Sequence, residues 1–289
     1  MKLAVISASA LLLAANVPAM AQDSQADTAT SDPAAGTVFD GDWLTVGLGG
    51  AYGPSYEGSD DMVLFPAPLA QGSVGGFDFG ARGPGLYVDL IRDGDNDSNV
   101  KIVAGPLVRV RMDRNSRIKD PVVKLLGKRD VAVEVGATAG ISFAKVLNPY
   151  DSLTVSSDIQ WDVAGAHDGR LISPAVSYST PLSKAIFTNL TVSAVHVDGS
   201  YADTYFSVGP VGSAASGLPV FDAKGGWKSY GASLLAGVDL SGDITDGGWG
   251  LYGLVNYSRL TGDAKRSPIT SLRGDADQWL FAAGISYTF

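Results

Sequence analysis

The chain has no cysteine, so disulfide staples, thiolate metal sites and cysteine nucleophiles are excluded together. Histidine is scarce. His167 and His196 are the only two, which leaves little imidazole for acid–base chemistry. Basic residues are outnumbered, 21 Lys and Arg against 30 Asp and Glu, for a net charge of −9. Such a surface repels phosphate backbones and argues against nucleic acid as a partner. Beyond residue 21 there is also no run of the roughly 18 apolar residues that a membrane helix requires. Yet 45% of the residues are hydrophobic and mean hydropathy is +0.13. The apolar residues are therefore dispersed. Glycine, at 36 residues, disfavours long helices and suits strands that bend and turn tightly.

The first residues read as a secretory signal: Lys2, an apolar core from Ala4 to Val17, and the small-residue site Ala19-Met20-Ala21. Cleavage after Ala21 is expected, and the absence of a following cysteine rules out a lipoprotein anchor. Residues 22–42 are Ala, Asp, Ser, Thr and Gly with almost no large apolar side chain. They are expected to form a flexible periplasmic tail.

From Trp43 to Phe289 the pattern is period-two alternation without an internal boundary. In one segment Val131, Val133, Val135, Ala137, Ala139, Ile141 and Phe143 oppose Ala132, Glu134, Gly136, Thr138, Gly140 and Ser142. In another, Leu153, Val155, Ile159, Trp161 and Val163 oppose Thr154, Ser156, Asp158, Gln160 and Asp162. A third sets Val100, Ile102, Ala104, Val108, Val110 and Met112 against Lys101, Arg109 and Arg111. These segments exceed the usual strand length of about 5–6 residues and reach the roughly 9–11 that a tilted strand needs to cross a bilayer. The final stretch carries Trp279, Phe281, Ala283, Ile285, Tyr287 and Phe289 on one stripe, with aromatics near both ends, as at two membrane interfaces. A terminal Phe on such a stripe resembles the mark by which barrel-assembly machinery recognises its clients. A β-sandwich or lipocalin-like barrel also has one apolar face, but strand length, signal and ending favour the membrane.

The expectation is an all-β, transmembrane antiparallel barrel of one domain, residues 43–289, in the cell outer membrane. Strands are expected at 43–52, 62–71, 75–82, 85–92, 99–112, 130–143, 151–164, 171–180, 186–198, 226–240, 248–260 and 277–289. That is an even count of about twelve, with both termini on the periplasmic side. Short connections then fall inside, and the long ones, Asp113 to Arg129, Gly199 to Gly225 and Thr261 to Ala276, fall outside. Almost no helix is expected. Two places are ambiguous: 201–208, which reads also as a strand, and the tight connection between 82 and 85.

Six segments stand out in order along the chain: GLGGAYGPSYEGSD from Gly47 to Asp60, ARGPGLYVDLI from Ala81 to Ile91, GPLVR from Gly105 to Arg109, SGLPVFDA from Ser216 to Ala223, YSRLTGDA from Tyr257 to Ala264, and GDADQ from Gly274 to Gln278. Together they resemble the MipA/OmpV family of outer-membrane proteins, named for the MltA-interacting protein. The resemblance implies a non-enzymatic barrel. In the eponymous case it implies a scaffold joining a lytic murein transglycosylase to a peptidoglycan synthase, and other members are described as adhesins or as affecting antibiotic uptake. None of these roles brings a residue motif, and no cofactor is implied.

Candidate chemistry is thin. His167-Asp168, in the short loop Gly165 to Arg170, has the residue type of a catalytic base, with Ser157, Ser173 and Ser200 as nearby nucleophiles. Abundant serine makes that match cheap, and no hydrolase motif accompanies it. His196 and Asp198 read as a strand-end polar pair. Glu57 and Asp60, among the tyrosines Tyr52 and Tyr56, suit a calcium or sugar site but equally suit turn positions beside an aromatic girdle. Arg82 and Asp89 read as structural, with Gly83 and Gly85 allowing a kink. The most informative set is a lumen-facing charge network: Lys101, Arg109 and Arg111 on one strand, Glu134 on the next, and Asp158 and Asp162 on the one after. It either lines a solute pore or pairs internally and fills the lumen. The second reading is preferred, with a porin-like channel for small solutes as the alternative. The long loop Gly199 to Gly225 is expected to fold inward and add to the plug.

Overall fold

A computed structural model describes residues 36–92 and 98–289. The signal segment, its cleavage site and most of the tail lie outside them. Twelve antiparallel strands form one closed barrel: β1 (Trp43–Pro54), β2 (Met62–Val74), β3 (Phe77–Ala81), β4 (Gly85–Val88), β5 (Val100–Arg111), β6 (Ala132–Ala144), β7 (Ser152–Asp162), β8 (Arg170–Pro181), β9 (Ile186–Val197), β10 (Gly226–Asp239), β11 (Gly248–Leu260) and β12 (Asp277–Thr288). Each strand pairs with its neighbours in sequence, and β1 closes on β12 in the register Val46 opposite Tyr287 and Tyr52 opposite Phe281. Short turns gather at one end with Trp43 and Phe289, and the long loops gather at the other.

The alternation sets the two faces. Val135, Val155, Trp161, Phe281 and Ile285 lie on the outside and are 42–52% exposed. This is an apolar wall with no protein to cover it. Aromatic pairs mark its two rims: Trp249 with Tyr287 and Tyr287 with Phe289 near the turns, and Tyr257 with Trp279 toward the loops. The inside is divided rather than uniformly polar. Across β6 to β9 it carries hydroxyl and amide pairs, Thr154 with Ser142 (2.9 Å), Ser177 with Thr191 (2.8 Å) and Asn189 with Ser179 (2.7 Å). Across β1, β2 and β10 to β12 it carries an apolar cluster that includes Phe65, Leu69, Leu235, Tyr252, Leu254 and Leu280. The Tyr252 ring lies on bare backbone. A Cβ at Gly49 or Gly284 would sit 2.5 Å from its hydroxyl oxygen.

Three local features differ from expectation. First, the two strands expected at 75–82 and 85–92 are a half-length hairpin. Gly83 has φ +62°, the Arg82 N–H donates to the Gly85 carbonyl at 3.0 Å, and Pro84 completes a tight turn that stops the hairpin midway up the wall. Second, the loops hold five short helices: α1 (Pro121–Lys124), α2 (Gly199–Phe206), α3 (Pro210–Ser216), α4 (Gly262–Arg266) and α5 (Pro268–Ser271). The ambiguous 201–208 segment is mostly α2. Asp198 caps it by accepting from the Tyr201 N–H at 3.1 Å. Its buried Tyr201, Ala202, Tyr205 and Phe206 recur at helical spacing, not at period two. Third, the end of the tail is held in place. The Val38 N–H donates to the Thr245 carbonyl at 2.8 Å, and Phe39 meets Trp43 edge to face.

Candidate functional site

The functional geometry is concentrated under the loops, where six segments meet. The turn after β1 is fixed by its own polar contacts: the Glu57 N–H donates to Asp113 Oδ1 at 2.7 Å, and the Gly58 N–H to Gln278 Oε1 at 3.1 Å. That turn points Glu57 inward. Its carboxylate accepts from Tyr201 Oη of α2 at 2.8 Å, bonds Lys228 Nζ of β10 and lies 3.6 Å from Arg111 Nη1 of β5. Arg111 in turn grips Glu134 of β6, with Nε to Oε1 at 2.6 Å and Nη2 to Oε2 at 3.4 Å. His167, in the loop after β7, completes the group. Its Nδ1 accepts from the Gly169 N–H at 3.0 Å, so Nε2 carries the proton it donates to Glu134 at 3.3 Å.

This arrangement is a seal. Glu134 and Tyr201 are wholly buried and His167 is 3% exposed. Buried charges are tolerated only when paired and hydrogen-bonded, and here Glu57 and Glu134 each meet at least two donors. Tyr201 stacks against His167 with ring centroids at 5.1 Å and lies under the Arg111 guanidinium at 5.1 Å. The loop groups feel the burial. Burial alone would raise Glu57, but the Lys228 and Arg111 charges together hold it below its ordinary value. Asp113 is pushed up to about 6 by burial and then by the Glu57 charge. Arg114 is lowered to about 10 by burial and by Arg129. It adopts φ +48° and donates from Nη1 to the Tyr205 carbonyl at 3.0 Å.

The structure divides the expected charge set. Arg111 and Glu134 are brought into direct contact. Asp158 faces Arg82 at 3.9 Å, and Arg109 donates from Nε to the Arg82 carbonyl at 3.3 Å, so the arginine of the kink belongs to the interior. Asp162 turns away from these cations and caps its own loop, accepting from the Ala164, His167 and Asp168 N–H groups. Lys101 sits at the turn end of β5 opposite Ser142, remote from Arg111. Glu57, Lys228, Tyr201 and Asp113 were not in that set. A glutamate inside a Gly- and Tyr-rich turn gave one signal, and the isolated Lys228 in an apolar strand gave another. What joins them is loop folding that alternation does not encode.

As for catalysis, both nitrogens of His167 are engaged, and among the described residues Ser157, Ser173 and Ser200 make no hydrogen bond to it. His196 instead packs edge to face on Trp227. Among the described residues no three His, Asp or Glu side chains converge as metal ligands.

A closed twelve-stranded antiparallel barrel with an apolar outer wall is the architecture of a membrane β-barrel. The chain belongs to the MipA family: residues 46–289 match the family model described as "MltA-interacting protein MipA". No curated protein matches. Among solved structures the chain is similar to an outer-membrane channel from Pseudomonas putida F1, with 12% identity, 86% of this chain and 96% of that chain covered, and a TM-score of 0.43. It is similar also to the CymD monoaromatic hydrocarbon channel, with 12% identity, 87% and 89% covered, and a TM-score of 0.39. A third is an anion-selective porin from Comamonas acidovorans, with 13% identity and a TM-score of 0.36. There 78% of this chain is matched, and the chain spans 60% of the porin's length.

Proposed function

We propose that this protein is an outer-membrane barrel that works through its surfaces rather than as an open pore, and that it serves as a scaffold for peptidoglycan-remodelling enzymes. The observation that carries the first part is the seal. Glu57, Lys228, Arg111, Glu134, His167 and Tyr201 form one buried, mutually paired group beneath α2. The apolar outer wall supports insertion in lipid, because only a closed barrel satisfies its backbone there. The family's description as MltA-interacting supports the scaffold role. The partner would be a murein transglycosylase, with a peptidoglycan synthase beside it, held at the turn end that carries both ends of the barrel. A non-enzymatic role fits a His167 whose ring nitrogens are both occupied.

Planar-bilayer recording on the refolded protein tests the first part. Little or no steady current is expected, and large stable single-channel currents would replace this reading with the porin-like one. Co-purification of a purified murein transglycosylase with the lipid-embedded barrel tests the second. Failure of the enzyme to bind at micromolar concentrations would remove the scaffold.

A further inference from the structure

The half-length hairpin leaves one seam of the wall unzipped. On one side β2 is paired with β1 from Met62 to Ser73. On its other side it pairs with β3 only from Gly72 to Val74. Across the gap, β4 meets β5 only from Leu107 to Arg109, and Pro84 accepts the Val110 N–H just above. The upper part of β2 therefore presents a strand edge with no strand beside it. An edge facing hydrocarbon is costly unless its polar groups are satisfied. Here two of its carbonyls are met by side chains rather than by a strand. Lys119 Nζ donates to the Met62 carbonyl at 2.7 Å, and Arg117 donates to the Leu64 carbonyl. Alternate residues of a strand point their backbone groups to the same side, so the next two positions on this edge are Pro66 and Pro68, which have no N–H to leave unpaired. The edge is built to stay open.

Behind the seam lies a cavity of about 100 Å³. Its inner lining mixes Phe65 and Leu280 with Asn256, Ser258 and Gln278. Its outer lining includes Pro84 of the hairpin tip, the outward-facing Val110 and the exposed Arg117. Arg109 faces it. Among the described residues no carboxylate lies within ion-pair distance of Arg109, and Nε alone is engaged, by the Arg82 carbonyl. The neighbouring Arg111 is already taken by Glu134. The cavity thus joins an apolar floor to the Arg109 guanidinium, whose Nη atoms are uncommitted, and borders Glu57 and Arg111 of the loop-end group.

We propose that the seam is a lateral doorway to the surrounding lipid, and that the cavity takes a single-chain anionic amphiphile. The head group meets the free nitrogens of Arg109, and the alkyl chain lies along Phe65, Val63 and Leu280 toward the seam. A guanidinium presents paired N–H donors that suit a carboxylate or a phosphate monoester alike. The proposal rests on the wall facing lipid, but not on the scaffold role or on the absence of conductance.

The experiment is photolabelling in lipid nanodiscs with a diazirine-bearing dodecanoate, read by peptide mapping. Folding is checked by heat-modifiable gel mobility. Label is expected to concentrate in 62–71 and 277–282, with a weaker background on the outer faces of β7 and β8. Unlabelled dodecanoate and dodecyl phosphate should both displace the cavity label. Dodecanol, acetate and inorganic phosphate at the same concentration should not. Arg109→Gln should cut the cavity label at least fivefold and leave the background unchanged, and the competition series decides the matter if that variant fails to fold. Uniform label over the outer wall, displacement by dodecanol equal to that by dodecanoate, displacement by acetate or phosphate alone, or a folded Arg109→Gln protein with undiminished cavity label would each overturn the proposal.

Discussion

Replacing Glu134 by Ala tests the seal most directly. The side chain has no exposure, and Arg111 beside it is 6% exposed, so solvent screens neither partner. The substitution removes the 2.6 Å and 3.4 Å bonds from Arg111 and the 3.3 Å bond from His167. Breaking a buried pair by deleting one partner costs about 3–5 kcal/mol, because the survivor is left charged in a dry site. Arg111 keeps Glu57 at 3.6 Å, which places the expected loss near the lower bound, about 3 kcal/mol. At about 1.4 kcal/mol per tenfold, that is roughly a hundredfold in the folding equilibrium. Urea titration of the protein in lipid vesicles, followed by tryptophan fluorescence and gel mobility, reads it as a lowered midpoint at unchanged slope. The double variant Glu134→Leu with Arg111→Met removes both charges and should recover much of the loss. A Glu134→Ala midpoint indistinguishable from that of the parent, or a double variant worse than the sum of the singles, would refute the argument that the seal is a closed ion-pair group.

Four further outcomes are expected. Arg placed at Val135, 42% exposed on the outer wall, should reduce refolding yield into vesicles and cost roughly 2–4 kcal/mol near mid-membrane. Arg at the lumen-facing Gln160 should cost less, and equal yields would show that the faces are misassigned. Burial and then the Glu57 charge push Asp113 up to about 6 in the folded protein, above its unfolded value of about 3.9. The folded state therefore holds the extra proton between those values, and this group weakens the fold as pH rises through about 4 to 6. Asp113→Asn, which keeps an oxygen for the Glu57 N–H, should raise the urea midpoint above pH 6 and leave it unchanged below about pH 4. Glu57 is depressed by Lys228 and Arg111, so its contribution is present above the unfolded value and lost in acid, and Glu57→Gln should lower the midpoint at pH 7 more than in acid. Gly49→Val should impair folding, because its Cβ would meet the Ala283 carbonyl oxygen at 2.2 Å and the Tyr252 hydroxyl at 2.5 Å, and a heat-modifiable band at parental yield would contradict that packing.

Strand placement was legible because period-two alternation is a property of each strand alone. Val131 to Phe143 needs no distant partner to declare its faces. Closure, direction and the even count followed from the same signal. The seal was half legible. Arg111 and Glu134 sit on adjacent strands, so register alone brings them close. Glu57 and Lys228 reach that pair only because the β1–β2 turn folds inward, and turn trajectories depend on contacts such as Asp113 with the Glu57 backbone. Asp162 shows the converse. Its parity points inward, yet three unpaired N–H groups of its own loop are nearer and claim it. The hairpin at 77–88 is shorter than its alternation suggests because Gly83-Pro84 decides where the chain reverses, whereas the alternating residues on either side look the same in a full strand and a half one. Gly136 carries a related lesson. Its parity marks it as lumen-facing, but a Cβ there would lie 1.8 Å from the Ile159 carbonyl oxygen, so no side chain fits whatever the polarity.

The capped edge of β2 also governs what a second barrel meets in the same membrane. Two barrels with bare edges would zip together, each continuing the other's sheet, since an unpaired strand is a template for any chain that can extend it. Here an arriving strand finds the Met62 and Leu64 carbonyls already holding Lys119 and Arg117, and at Pro66 and Pro68 it finds no hydrogen to accept. The same two prolines that permit a gap in the wall keep that gap from becoming a seam between molecules, so the barrel can remain incomplete on one side and still stand alone in a crowded bilayer.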